Sequence, residues 1–336
     1  MFDRIRLTLR QHRFETIVFV VLCLGVGIAG LIEAWRLNSL NFPLSCMQGS
    51  QVPWYDPTMA PTPCSLAAAR FHALADGTDM SFLRLFEELL PFIVGIGFGA
   101  TIVAREIETG TAPLSWALAG SRSRWLLGKI GAVLLLIVPL MLFVGLASDI
   151  RQGALLPGID PHATFDFYAD RGVFMVFWTL AAFSGTLALG TIFGRTMPAI
   201  MVALLIGVFG RGLWEQAWTH TVLRPFAVPG DNTWGTSDLY VYQSDQLYLD
   251  GKPWLGDINQ WWMSHEPVMP SPDASGAVPI AIGGAVDIGL PPMPITYVIH
   301  GADYWLVTRM ECAAILAGSL VCGAIALFWV GRRKPY

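Results

Sequence analysis

Three charged residues lie inside one apolar stretch of the sequence and are the first candidates for chemistry. Arg84, Glu87 and Glu88 fall within the stretch from about Leu83 to Val103. Ionised side chains are expensive in a membrane interior, so such residues mark substrate paths or gates unless interfacial water reaches them. Glu88 follows Arg84 by four residues, a spacing that allows an ion pair on one helical face. We expect these residues either to contact a cationic substrate or gate its exit, or to lie at the outer interface.

Glu311 is a further acid of this kind, at the start of the last apolar stretch and two residues after Arg309. It either stabilises the entrance of that stretch or lies on a substrate path. The histidines are scattered without the spacing of a metal site, and no nucleophile–base motif accompanies the acids. We therefore predict neither a metal site nor catalytic residues.

The five cysteines fall into two groups. Cys46 and Cys64 both lie between the first two apolar stretches, in a segment that we place outside the cell, where disulfides persist. The short chain between them is readily closed, so we predict a Cys46–Cys64 disulfide. Cys23, Cys312 and Cys322 lie in apolar stretches and are expected to be packing residues.

The composition indicates a membrane protein whose surface faces lipid. Of 336 residues, 54% are hydrophobic and only 14% are charged, whereas roughly a quarter of a soluble domain is charged. The net charge of −4 and the lack of a basic stripe argue against nucleic acid as a partner. Six stretches approach the ~20 residues that cross a bilayer, which predicts an all-α membrane domain with six transmembrane helices. The stretches are Thr16–Ala34, Leu83–Val103, Ile130–Ala147, Val173–Phe193, Pro198–Phe209 with a continuation to about Trp214, and Cys312–Val330.

The distribution of charge predicts the orientation. If both termini are cytoplasmic, the cytoplasmic segments hold twelve of the 21 Lys and Arg but only four of the 25 Asp and Glu, as the positive-inside rule requires. The basic tail Gly331–Tyr336 then needs an even number of spans, which supports the weak fifth one. We expect Met1–Gln11 to be an amphipathic interfacial helix rather than part of a cleaved signal peptide. The predicted location is the plasma membrane.

The connection between the fifth and sixth spans, residues 215–305, is long enough for a small extracellular domain. Within it, Leu239–Gln243 and Ala277–Ile282 are typical of β-strands, so we expect a mixed, partly β domain. Trp261 and Trp262 form either its core or a recognition surface. The predicted organisation is residues 1–214 for the interfacial helix and five spans, 215–305 for the external domain, and 306–336 for the sixth span and basic tail.

The loop between the second and third spans carries the most informative pattern. It reads Ala104-Arg-Glu-Ile-Glu-Thr-Gly-Thr-Ala-Pro-Leu and then Ser121-Arg-Ser-Arg-Trp-Leu-Leu-Gly-Lys129. We expect its two glutamates to sit at a helix end that the dipole favours, and the glycine to permit a turn. The segment resembles the cytoplasmic loop of type-2 ATP-binding-cassette (ABC) exporter permeases, which reads R-E-x-E-x-G-T, then an apolar stretch, then S-R-x-x-x-x-x-K. The matching residues are Arg105, Glu106, Glu108, Gly110, Thr111, Arg122 and Lys129.

A second similarity lies before the sixth span. Tyr297–Trp305, followed by Thr308 and Glu311, is similar to the Y-Q-P-x-x-R-F-W and Q-x-x-E motifs of actinobacterial-like members with a large external loop. The resemblance implies the membrane subunit of an ATP-driven exporter that moves an amphipathic drug, antibiotic or lipid outward. It also implies a coupling helix that docks on the ATPase, with Arg105, Glu106, Glu108, Gly110 and Thr111 at the contact.

The partners follow from what the sequence lacks. There is no phosphate-binding loop motif, so we expect ATP and Mg²⁺ on a separate ATP-binding subunit, present in two copies. A second permease chain completes the pathway, with a homodimer favoured. Two rivals stay open: a sensor or immunity protein whose external domain binds a peptide, and an intramembrane enzyme that uses Glu87, Glu88 and Glu311.

Overall fold

A computed structural model describes residues 13–47, 52–53, 61–229, 238–249, 252–253 and 293–333. Within these ranges, six helices are long and apolar enough to cross a membrane, which confirms the predicted fold class. The described residues form eight α-helices, and six of them are the spans; the short helices α2 and α4 are not. The helices are α1 (Arg13–Ser39), α2 (Pro63–Ala75), α3 (Thr78–Glu108), α4 (Ala112–Ala119), α5 (Arg122–Leu155), α6 (Phe174–Phe193), α7 (Thr196–Ala217) and α8 (Tyr304–Arg332).

Contacts between helix ends show how the spans are arranged. Arg105, late in α3, pairs with Glu15 at the start of α1 at 3.0 Å. Arg122, which begins α5, donates a hydrogen bond to the carbonyl of Gly331 at the end of α8 at 3.1 Å. We call this end of the bundle the termini end. The opposite end, where α3 and α8 begin, is called the distal end.

The spans pack most closely where α3 meets α6. Gly95 and Gly99 of α3 face the α6 backbone, and a Cβ added to them would lie 2.7 Å from the Thr179 carbonyl oxygen and 2.5 Å from the Phe183 carbonyl oxygen, respectively. Only glycine tolerates such an approach, and small residues at interfaces are the usual means of bringing membrane helices together. The main apolar core runs along this contact and includes the buried side chain of Phe98.

The predicted disulfide is present at the distal end. Cys46 and Cys64 are joined, with their Cα atoms 5.3 Å apart. The bond links the turn after α1 to the first turn of α2, a helix that opens with a capping box between Thr62 and Ser65. Cys23 and Cys312 are buried, and Cys322 is half-buried.

The residues between α7 and α8 contribute a second compact unit, formed by Trp218–Trp234 and Tyr240–Ile299. Its strands are arranged in the order β1-β4-β2-β3, with β1 antiparallel to β4 and β2 antiparallel to β3. The predicted strand at residues 239–243 lies within β2, and the partly β character of this segment is confirmed. The strands are β1 (Val228–Pro229), β2 (Leu239–Leu249), β3 (Lys252–Pro253) and β4 (Met293–Ile299).

Several predictions concern residues that are not described. The interfacial helix Met1–Gln11, the strand Ala277–Ile282 and the pair Trp261–Trp262 all lie outside the described residues. The domain bounds 1–214, 215–305 and 306–336 stay a prediction.

Candidate functional site

At the termini end, a tight loop and a short helix join α3 to α5. The chain turns at Gly110, whose φ of +71° is left-handed, as expected from the sequence. The helix α4 follows and ends at Gly120, with φ +75°. The side chain of Ser121 then accepts a hydrogen bond from the Arg124 N–H and caps α5. A glycine therefore lies on each side of α4 and allows the chain to turn there.

The two glutamates of this loop make contacts within the chain. Glu106 forms an ion pair with Lys129 of α5, whose Nζ also lies 3.3 Å from the Ile102 carbonyl oxygen. Glu108 accepts a hydrogen bond from the Thr196 N–H at 3.0 Å, at the start of α7. The sequence pattern predicts that both glutamates lie at a helix end whose dipole favours a carboxylate. This prediction is wrong for α3, because both acids lie at its C-terminus, where the dipole disfavours negative charge. Only Glu108 meets a favourable dipole, that of the N-terminus of α7.

The helix α4 is fixed to the bundle by its tryptophan. The Trp116 ring meets the Trp125 ring edge-on, with 6.1 Å between centroids, and the Arg122 guanidinium lies 4.7 Å from the Trp116 centroid. Leu114 of the same helix is 68% exposed. The helix therefore has a packed inner face and an exposed apolar outer side.

The five predicted coupling residues all lie beside α4, but they differ in exposure. The Glu106 side chain is only 14% exposed, because it points toward Lys129. Arg105, Glu108, Gly110 and Thr111 are exposed. The structure brings the five together and turns one of them inward.

At the distal end, Glu87 is buried within the protein. It is 2% exposed and forms an ion pair with Arg151 of α5, which is 4% exposed. Arg151 also lies 3.7 Å from the Met80 sulfur. Glu87 therefore is not the solvated interfacial residue of the alternative interpretation.

Arg84 and Glu88 do not form the ion pair that their spacing allows. The Arg84 guanidinium lies 4.6 Å from the centroid of the Phe167 ring, and Glu88 is exposed. Among the described residues, neither side chain has an ion-pair partner within 4.0 Å. Neither charge is therefore neutralised by a direct ion pair at this end of α3.

Arg211 of α7 links three parts of the distal end. It forms an ion pair with Asp170, in the connection between α5 and α6, and a second with Glu215 at 3.1 Å. It also donates a hydrogen bond to the Glu88 carbonyl at 3.5 Å. Burial raises the pKa of Asp170, and the Arg211 charge opposes this shift. The α7 helix is thus tied to α3 through an arginine.

Glu311 is held by two neutral donors. It is 1% exposed and accepts hydrogen bonds from the Trp214 indole at 2.9 Å and the Tyr168 hydroxyl at 3.1 Å. Burial, together with the nearby Glu311 charge, raises the pKa of Tyr168, so its phenol stays protonated as a donor. These contacts join α8 to α7 and to the connection before α6.

The distal residues enclose a cavity of about 240 Å³ that is lined by four arginines and four acids. Arg84, Glu87 and Glu88 line it together, but Glu311 is not among its lining residues. Sequence reasoning missed Arg151, and with it Asp170 and Arg211. One signal was present, because a buried Glu87 requires a counter-charge.

Six spans, with a short docked helix between the second and third, fit the membrane subunit of a transport protein. The comparison with known families agrees: residues 17–218 match the family described as ABC-2 membrane transporter related, and the chain belongs to this family. No curated protein and no solved structure matches the chain. The family match over residues 17–218 confirms the resemblance to type-2 ABC permeases. The chain is a multi-pass transmembrane subunit of an ABC transporter, of a family whose members are non-catalytic and work with an ABC ATP-binding subunit.

Proposed function

We propose that this subunit exports an amphipathic drug, antibiotic or lipid across the plasma membrane, driven by two copies of a separate ATP-binding subunit. Both termini are cytoplasmic, and two identical permease chains form the pathway. ATP and Mg²⁺ bind to the partner. The observation that carries the proposal is α4, a helix fixed on one side by Trp116 and exposed on the other at Leu114.

The contacts of α4 support a route for the mechanical coupling. When the ATPase pair closes on ATP, it displaces α4, and the packing of Trp116 on Trp125 passes this movement to α5. The ion pair between Glu106 and Lys129 makes α3 follow α5. Such a route drives transport only if the ATP-bound and ATP-free states prefer different bundle arrangements.

The predicted contact residues take two roles in this scheme. Arg105, Glu108, Gly110 and Thr111 are exposed beside α4 and meet the ATPase directly. Glu106 acts through Lys129 instead.

The distal end is the exit in this scheme. Opening it separates α3 from α5 and therefore breaks the buried pair of Glu87 and Arg151. Arg84, Glu88 and Glu311 lie close by and border the path that the substrate follows outward.

Affinity purification of the chain from its native membrane in mild detergent tests the proposal. Mass spectrometry should identify a stoichiometric ATP-binding subunit. Leu114→Asp should reduce its recovery at least about tenfold, since a carboxylate then replaces the exposed apolar contact. Leu66→Asp is the matched control, because Leu66 is also an exposed leucine, 48% exposed, on the short helix α2 of the distal end.

The possible outcomes test the contact site, the export function and the direction of transport separately. Retention of the ATPase by Leu114→Asp would remove α4 as the contact. If no ATPase accompanies the unchanged chain, the export function fails and the sensor with a peptide-binding external domain becomes the better interpretation. Direction is tested with inverted membrane vesicles, into which an exporter accumulates substrate when ATP is added outside.

A further inference from the structure

We propose that the distal cavity binds the zwitterionic headgroup of an amphiphile, with Arg84 facing its anionic group and Glu88 facing its ammonium group. This inference rests on the proposed export function and narrows its substrate class.

Most charges around the cavity are already neutralised within the protein. Glu87 and Arg151 form one buried pair, and Arg211 is shared by Asp170 and Glu215. These groups shape the cavity without needing a ligand. Their pairing makes the remaining charges decisive for what binds.

A third arginine of the lining, Arg171, is satisfied in a similar way. Arg171 is 1% exposed, lies 3.8 Å from an Asp149 oxygen, and donates hydrogen bonds to the carbonyls of Pro161 and Thr164 at 2.6 and 2.7 Å. Its charge is therefore also balanced within the chain.

Arg84 and Glu88 are different, because each lines the cavity without an ion-pair partner within 4.0 Å in the described part of the chain. They lie one turn apart on α3, about 6 Å along the helix axis. Arg84 is instead placed over Phe167 at 4.6 Å. The cavity thus offers one positive and one negative group a helical turn apart, which is the combination of charges that a phosphate–ammonium headgroup requires.

A ligand with a single charge is disfavoured by the same arrangement. A purely anionic group that reached Arg84 would also meet the Glu88 carboxylate, and a purely cationic group would meet Arg84. Like charges at such distances repel, all the more where little water screens them. A zwitterion satisfies both groups at once.

The size of the cavity and its surroundings indicate that only the headgroup enters. Its volume of about 240 Å³ lies below the ~300–1,000 Å³ of pockets that enclose drug-sized ligands. On the same turns of α3, Leu85 and Leu89 are 49% and 39% exposed. They provide an apolar surface beside Glu88 along which a hydrocarbon tail lies.

Binding is tested on the purified full chain in nanodiscs made only of anionic phosphatidylglycerol. The probes are lysophosphatidylethanolamine, lysophosphatidylglycerol and an alkylamine of the same chain length, with binding followed by native mass spectrometry. We expect the zwitterionic probe to bind best. Arg84→Gln and Glu88→Gln should each weaken its binding at least about tenfold. Glu88→Gln should not weaken binding of the anionic probe, and Arg84→Gln should not weaken binding of the alkylamine.

Controls separate a binding role from a structural one. Arg70→Gln and Glu33→Gln change charges that do not line this cavity and should leave binding of the zwitterionic probe unchanged. Arg84→Lys keeps the positive charge and should retain most of the affinity. If Arg84→Gln fails to fold, comparison of Arg84→Lys with Glu88→Gln still decides whether charge matters.

The proposal would be overturned if all three probes bound equally well. It would also be overturned if the variants and the controls lost the same amount of affinity for the zwitterionic probe. Phosphoethanolamine, which has no hydrocarbon tail, distinguishes a membrane ligand from a soluble one. Weak binding of this probe supports a membrane amphiphile, and full binding supports a soluble zwitterion at the same site. The assay contains no ATPase, so its failure leaves the export function standing. Binding without ATP-driven movement of the probe would instead keep the site and contradict its role in export.

Discussion

One ion pair from each end of the membrane bundle shows how differently charged residues are buried there. At the termini end, Arg105 and Glu15 form an ion pair in which the arginine side chain is 56% exposed. At the distal end, the side chains of Glu87 and Arg151 are 3% and 5% exposed. Exposed pairs break and reform at little energetic expense, whereas buried pairs are costly to separate.

The difference suggests a division of labour between the ends. The termini end carries a docked helix with charged residues available to a partner. The distal end joins α3, α5, α7 and α8 through buried polar contacts. Each variant below tests whether burial sets the energetic importance of these contacts.

The largest effect is expected for the buried distal pair. Arg151→Met leaves Glu87 buried without its counter-charge, which should destabilise the protein by about 3–5 kcal/mol. The double change Glu87→Leu with Arg151→Met removes both charges and should recover most of this loss. Thermal unfolding of the purified chain in one detergent measures both. A double variant no more stable than Arg151→Met would show that the pair is not coupled in this way.

The disulfide should come next. Replacing both Cys46 and Cys64 with serine frees the segment between α1 and α2, and loss of a native disulfide typically costs about 2–5 kcal/mol. Reduction of the unchanged protein should lower its unfolding temperature by the same amount as the double serine variant. Replacing the buried free Cys23 by alanine controls for cysteine loss, and reductant should then still have its full effect.

The partly buried pair of the termini end should have an intermediate effect. Lys129→Met leaves Glu106, whose side chain is 14% exposed, with less access to water than Arg105 but more than Glu87. A loss of about 1–3 kcal/mol is expected, the penalty for a buried group without its hydrogen-bond partner. If Lys129→Met lowers the free energy of unfolding as much as Arg151→Met, the degree of burial does not set how much each ion pair contributes to stability.

The spans, the Cys46–Cys64 disulfide and the Gly110 turn could be predicted because their signals are local: hydropathy, spacing and backbone freedom. The helix α2 was missed although its signal was equally local, since Thr62, Pro63 and Ser65 form a helix start.

The partners of the acids could not be predicted in this way. Arg151 lies 64 residues from Glu87, and only tertiary packing brings them together. The inward direction of Glu106 depends likewise on where α5 places Lys129. The rule of i and i+4 pairing even misled for Arg84 and Glu88, because it considers one helix alone.

The smallest effect on stability is expected for Arg105. Arg105→Gln removes an exposed ion pair with Glu15, and such pairs contribute about 0–1 kcal/mol and less at high salt. The unfolding temperature should therefore scarcely change, in contrast to Arg151→Met. If Arg105 meets the ATPase, however, the same variant should lower recovery of the ATP-binding subunit severalfold. Glu15→Gln breaks the same ion pair without altering Arg105 and is the matched control. Equal losses of ATPase in both variants would assign the effect to the ion pair, and loss in Arg105→Gln alone would assign it to the arginine, so that exposure at the termini end serves the partner rather than the fold.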